Sequence, residues 1–294
     1  MSQQHLLERE EPAPSASALV VLTPAESKRL IAKAVAALPE VKKALQTGTV
    51  IIARGTTNAY VAEEILSISI TPKSSYTLGC ITGGELTANI SPTRHKPLVL
   101  RQGKPVEMTP AEALREFTSE DVFIKGANAV DIWGNAGILA RTHSKADAGT
   151  IGAAWAIVVS RGAHLIVPVG LEKLIPSVRQ AARRRAGFKY SVGLPSFLVP
   201  LVSARVITEI QAFQILAEVT AVHISSGGIG GSEGAVVLTL EGSGEKVDKA
   251  FHIVRAIKGE PPIPPPEALP PSAASCDYHA AEFTESITRL LAPR

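Results

Sequence analysis

Aromatic side chains are scarce: Phe, Tyr and Trp make up 4% of the 294 residues. The core must then be filled by Val, Ile, Leu and Ala, which favours buried parallel strands flanked by helices. Cysteine is scarcer still. Cys80 and Cys276 lie too far apart for a metal knuckle or a disulfide scaffold. No apolar run reaches the roughly 18 residues that a membrane span needs, and the longest, 151–160, is broken by Arg161. An excess of one charge is missing too: 30 Lys and Arg face 27 Asp and Glu, a net charge of +3 that gives little attraction for a polyanion. Residues 1–15 carry Glu8, Arg9, Glu10 and Glu11 and lack an apolar signal core. These absences set the expectation of a cytoplasmic protein with no membrane partner, a disfavoured nucleic-acid partner, and no cofactor or metal requirement. What is present, 45% hydrophobic and 19% charged residues, is the composition of a globular chain with a substantial core.

The expected organisation runs from a disordered tail (1–17) into a ligand-binding α/β domain (18–202) with an irregular insertion at 67–118. Thr23-Pro24-Ala25-Glu26 is a capping box, and Leu30, Ile31, Ala34, Val35 and Leu38 follow at helical spacing. Pro39 interrupts that helix, Gly48 closes the segment, and 49–53 reads as a buried strand. The segment 67–118 is punctuated by Pro72, Gly79, Gly83, Gly84, Pro92, Pro97, Gly103 and Pro105 around short strand-like pieces, 97–101 among them, and reads as an irregular insertion or an antiparallel hairpin. Strands are expected at 121–124 and 164–169, with an apolar helix from Gly149 to Val159 between them. Alternation of this kind implies a mostly parallel sheet with flanking helices. Beyond Ser203 the order strand (205–210), helix (211–219), strands (221–225 and 235–240), helix (246–257) fits a small ferredoxin-like α+β module over 203–260. A Pro-rich linker (261–275) leads to a final helix within 276–294.

Two segments carry the chemistry. Gly55-Thr56-Thr57-Asn58 stands between the strand at 49–53 and a helical stretch from Ala59 to Leu66. There the glycine permits a tight turn, the first helical amides point outward, and two hydroxyls complete an anion site. The same residues also serve as an ordinary helix cap. They are not a P-loop, since the glycine spacing and the Lys-Ser/Thr end are missing. The second segment, Lys125-Gly126-Ala127-Asn128-Ala129-Val130-Asp131, also follows a strand, where open α/β sheets place ligands. Asn128 and Asp131 are suited to sugar hydroxyls, and Asp131 to general-base work. Both residue types also commonly stabilise turns.

In this order the two segments resemble a superfamily that groups ribose-5-phosphate isomerases, the sugar-phosphate sensors of DeoR-type repressors, methylthioribose-1-phosphate isomerases, translation initiation factor 2B regulatory subunits and coenzyme A transferases. The repressor sensors have a strand ending in Gly-Thr-Thr, similar to Gly55-Thr56-Thr57, and a later Gly-Ala-Asp/Asn…Asp, similar to Gly126 through Asp131. Lys145-Ala146-Asp147-Ala148-Gly149-Thr150 looks like a loose version of a Lys-Ile-Gly-Thr turn in the initiation-factor branch. Over 20–200 the resemblance implies a Rossmann-like fold with a phosphosugar or related acyl ligand at the strand ends. It departs at Asn128, where the isomerases keep an acid, and asparagine cannot act as a carboxylate base.

The expected function is therefore binding of a small anionic metabolite by Gly55, Thr56, Thr57, Asn58, Gly126, Asn128 and Thr150. In an isomerase-type reaction Asp131 would move a proton while Lys145 or Lys125 stabilises the enediolate. The alternative is a non-catalytic sensor acting through the C-terminal module on a partner or a second copy in a homo-oligomer. Lesser candidates are His143 in the loop before Thr150, Glu85 if the insertion closes as a lid, and His223 within a strand. A basic run (Arg179, Arg183, Arg184, Arg185, Lys189) reads as a solvated helix end, the glycines of 227–234 as a hairpin, and Cys276 to His279 as a weak metal cluster.

Overall fold

The computed structural model describes residues 16–141, 149–183, 188 and 190–268. In chain order the elements are β1 (Ala16–Leu22), α1 (Pro24–Ala37), α2 (Pro39–Thr47), β2 (Thr49–Ile52), α3 (Thr56–Leu66), β3 (Gly79–Thr82), β4 (Glu85–Ala88), β5 (Leu98–Arg101) and β6 (Lys104–Pro105). There follow α4 (Pro110–Arg115), β7 (Val122–Ile124), β8 (Ala129–Val130), β9 (Ala136–Arg141), α5 (Gly149–Ser160), β10 (His164–Pro168) and α6 (Val178–Ala181). The last are β11 (Ser196–Leu201), β12 (Arg205–Ile207), α7 (Glu209–Ala217), β13 (Thr220–Gly227), β14 (Ala235–Gly242) and α8 (Gly244–Ile257). The chain is mixed α/β, and among the described residues no helix is long and apolar enough to cross a membrane.

The main sheet has the order β12-β10-β7-β2-β5-β6. The first four strands are parallel, whereas β5 runs antiparallel to β2 and β6 to β5. Alternate side chains of one strand go to opposite faces, and both faces are covered. Val50 and Ile52 of β2, with Val122 and Ile124 of β7, pack in one apolar cluster with α1, α3 and α7. Ile51 and Phe123 join a second cluster with α4 and α5. Continuous Val and Ile runs are what such two-sided burial demands.

The capping box is formed as expected: Thr23 accepts from the Glu26 amide while the Glu26 carboxylate accepts from the Thr23 amide. The glycines of 227–234 do connect two antiparallel strands, β13 and β14. Three expectations are corrected. The strand after Ser203, β12, ends at Ile207 and pairs with β10 in the main sheet, so it does not open a separate ferredoxin-like unit. The third strand of the small sheet is β1, in the order β1-β14-β13, and it begins at Ala16 inside the expected tail. Val20 and Leu22 of β1, Val236, Leu238 and Leu240 of β14, and Val247, Ala250 and Val254 of α8 share one cluster with the main sheet. Residues 67–118 hold an antiparallel hairpin, β3–β4, but are not all an insertion, because β5 and β6 extend the main sheet. The Pro-rich segment is packed where it is described, with the Ile90 amide donating to Glu267 and Ile263 against the core. The final helix, Cys276 to His279 and most of the basic run lie outside the described residues.

An ion-pair network clamps α1 to α3 and to the chain beyond α8. The Arg29 guanidinium meets Glu63 at 2.6 Å, Glu64 at 2.9 Å and Glu260 at 2.9 Å. Lys73 meets Glu63 at 3.3 Å, and both cations lie over the Tyr60 ring. Burial pushes the Glu63 carboxyl up, but the Ile70 amide, Arg29 and Lys73 together hold it below its ordinary value of 4.5. A carboxyl whose folded value is depressed contributes stability that is complete above the unfolded value and drains as pH falls through the folded one. Arg29→Met should therefore cost about 3–5 kcal/mol at neutral pH by leaving buried carboxylates unpaired. Urea melts from pH 7 to 3 should show the wild type losing stability below about pH 4.5, and the variant losing much less over the same window.

Candidate functional site

Helix α3 begins directly beyond β2, capped by Gly55, which brings no side chain to its open amides. The Gly55 amide is fixed to the Tyr76 carbonyl at 2.8 Å, and the Tyr76 hydroxyl donates to Ile52 at 2.6 Å. Thr56 is half-buried and Thr57 buried in the first turn. The neighbouring strand end belongs to β7, whose successor Lys125 is tied through its amide to Ile166 of β10 at 3.0 Å. From β2 the chain passes to β5 on one side and returns to β7 on the other. The carboxyl ends of β2 and β7 thus flank a topological switch point, where open α/β sheets form a crevice.

Asn58 bridges these two ends. It is fully buried, and its amide nitrogen donates to the carbonyls of Ala53 at 2.6 Å and Ile124 at 3.2 Å. Its Oδ1 has no hydrogen-bond partner and faces Gly126, lying 3.8 Å from where a β-carbon at that position would sit. The expectation that Asn58 binds ligand is thus modified: the nitrogen is committed to the sheet, and only the oxygen is free.

Cations gather at the same edge. The Lys125 ammonium donates to the Arg54 carbonyl at 3.2 Å, and the Lys173 ammonium to the Ala127 carbonyl at 3.0 Å. Arg54 donates to the His95 carbonyl at 2.8 Å and Arg94 to Asn89 at 2.7 Å. Among the described residues none of the four has a carboxylate within ion-pair distance. Burial, and then the charge of Lys173, bring Lys125 down to about 8. Burial and then Lys28 bring Lys173 down to about 8, although Glu172 and Glu209 pull the other way. Arg54 is lowered by burial and by Arg94.

Other expected site residues are engaged elsewhere. Asp131 is buried, and its carboxylate accepts from the amides of Trp133 (3.1 Å), Asn135 (2.9 Å) and Val178 (3.0 Å) and from the Asn135 side chain. Burial raises this carboxyl, but the hydrogen bonds outweigh it and hold it below its ordinary value. An Asp so occupied organises the turn that Gly134, at φ +77°, completes; no oxygen is left to take a substrate proton. Asn128 accepts from the Leu139 amide at 3.0 Å, which spends its side chain on the β8–β9 hairpin. Thr150 is half-buried in the first turn of α5, the crossover helix into β10, and makes no described contact with Gly55 or Gly126. Lys145 and His143 lie outside the described residues. Glu85 is placed on β4 opposite Thr82, and His223 meets Ser226 at 2.7 Å. Asp131 and His223 line a groove of about 410 Å3 that includes none of the four cations.

Sequence reading missed Lys173, Arg94 and Tyr76. Their positions depend on contacts between distant segments, and no local spacing marks them. Arg54 stood in view beside Gly55, and its place at a strand end was the available signal. Comparisons with protein-family models, curated proteins and solved structures give no match to this chain.

Replacing Asn58 by Ala removes both bridging donors; the Ala53 carbonyl loses its side-chain partner, while the Ile124 carbonyl keeps the Ala53 amide. The expected loss is about 1–3 kcal/mol of unfolding free energy, measured by urea denaturation. Asn128→Ala, at an exposed residue with one such bond, should cost less.

Proposed function

We propose that the chain binds a small anionic metabolite, a phosphosugar or related phosphorylated compound, at the carboxyl ends of β2, β7 and β10. The supporting observation is the assembly of Arg54, Arg94, Lys125 and Lys173 around the open N-terminus of α3 without a carboxylate partner among the described residues. Withdrawing cations from water is costly unless a counter-charge meets them. A phosphate over Thr56 and Thr57 would meet the first-turn amides, the helix dipole and the cations together. The unpartnered Asn58 oxygen adds an acceptor for a ligand hydroxyl.

The resemblance to sugar-phosphate isomerases and DeoR-type sensors supports a Rossmann-like reading of the main sheet and makes ribose 5-phosphate the first compound to test. The saturated Asp131 carboxylate favours binding over proton transfer at that residue. A sensor role is favoured by one further feature: α1 and α7 belong to the same apolar cluster as α3 and the small β1-β14-β13 sheet. Ordering at the α3 turn would thus be felt in that sheet.

Sulfate is a useful probe because its charge is constant between pH 6 and 9. It should raise the melting temperature in proportion to the logarithm of its concentration, as should ribose 5-phosphate. Lysine must be protonated to attract an anion, so the affinity should be highest below pH 8 and fall as pH rises through the value of about 8 shared by Lys125 and Lys173. Lys173→Met should weaken sulfate about tenfold or more, since a hydrogen bond to a charged group contributes about 1.5–3 kcal/mol. Absence of any shift with sulfate, phosphate or ribose 5-phosphate would remove the basis for an anion site.

A further inference from the structure

We propose that Lys125 is an amine nucleophile that condenses with the aldehyde or ketone carbonyl of the phosphorylated ligand held at the Gly55–Asn58 turn. This rests on the anion site above and gives its ligand a second functional group.

The geometry distinguishes Lys125 from an anion-binding lysine. Its backbone is fixed in the sheet by the bond to Ile166, and its side chain reaches across the β2–β7 crevice to the Arg54 carbonyl at 3.2 Å. That places the amine beside the residue preceding the Gly55 cap. A carboxylate partner would hold the group protonated, whereas a neutral carbonyl does so less and still accepts a weaker hydrogen bond from the neutral amine. Deprotonation therefore leaves the side chain in place with its lone pair free. Lys173, bonded to Ala127 two residues along the same turn, adds a second cation beside it. A desolvated lysine next to another cationic group is the arrangement that activates an amine toward carbonyl compounds. Lys173 is less suited to the role, because Glu172 and Glu209 both favour its charged form. The fully buried Asn58 side chain supplies an independent sign of a ligand here, its Oδ1 being unpartnered and turned toward Gly126.

In the reaction the Lys125 lone pair adds to the carbonyl carbon and a carbon–nitrogen bond forms. The former carbonyl oxygen then leaves as water, carrying both amine hydrogens, so that an imine and one water replace the amine and the carbonyl. No oxidant, reductant or metal is needed. With Lys125 near 8, the neutral amine at pH 7.5 is on the order of a hundredfold more abundant than in an ordinary lysine.

The test treats the full chain with glyceraldehyde 3-phosphate and sodium cyanoborohydride, which reduces an imine to a stable secondary amine, and locates the adduct by peptide mass mapping. Lys125 should be labelled at least tenfold faster than the exposed Lys104 and Lys249. Excess sulfate should protect it, and the rate should rise as pH passes through about 8. Lys125→Arg keeps a cation at this position and should lose the dominant adduct, while the sulfate-induced rise in the melting temperature of the wild-type chain reports the anion site separately. Labelling spread evenly over the lysines, with sulfate binding intact, overturns the nucleophile. Equal labelling of Lys125 by unphosphorylated glyceraldehyde, unaffected by sulfate, upholds the amine and overturns the phosphate site instead.

Discussion

Where β2 and β7 end, the Ile124 carbonyl takes its last ladder bond from the Ala53 amide, and the Asn58 side chain donates to the Ala53 and Ile124 carbonyls from the first turn of α3. That contact fixes the angle at which the helix leaves the sheet and the spacing of the two strand ends. The position of everything else at this edge follows from it. Arg54 and Lys125 are the residues that follow Ala53 and Ile124, and the Lys125 side chain crosses the crevice to the Arg54 carbonyl. Because the nitrogen of the amide is consumed, its oxygen is left facing the second turn. A single buried side chain so joins fold and site, and a substitution there acts on both.

The molecule treats its charges in two opposite ways. Around Arg29 and Lys73 the cations are enclosed by Glu63, Glu64 and Glu260, and each guanidinium nitrogen has a carboxylate. Such matching holds the elements in register and leaves nothing for a ligand. At the strand ends the cations are met by carbonyl oxygens, which orient them without neutralising them. An unneutralised, partly desolvated cluster is costly to the folded state, of a kind concentrated at functional sites. The clamp on one side of α3 and the open cluster at its N-terminus make a contrast that composition alone, with its near balance of signs, conceals.

Local signals were readable in the sequence because they act over a few residues. Thr23 and Glu26 form their box within one turn, and the apolar run 49–53 has few alternatives to a buried strand between two helices. The pairing of strands was not readable. Nothing in Arg205 to Ile207 says whether it joins β10 or a neighbour in the small sheet, because the choice depends on which edge is unoccupied after the rest has packed. The strand β1 escaped notice for the same reason: its partner is β14, at the other end of the described chain. At the site, Gly55 and Thr56 announced themselves by their turn. Asp131 and Asn128 drew the eye as chemistry, and their own backbone neighbours claimed them. Lys173 had no distinguishing neighbourhood until the short turn at Leu171–Lys173 and the strand end were brought together in space.

The pairing of Ala16 with Gly242 and of Leu22 with Val236 has a consequence in time. During synthesis β1 emerges well before β14, and the whole segment between them must be made before the two can pair. Until then Leu19 and Val21, exposed even in the finished sheet, and the inward Val20 and Leu22 belong to an unpaired strand. Contacts of this sequence separation are slow to form because a long loop must close before they are rewarded. The small sheet is thus slow to close, and β1 is open to capture by another chain while it waits.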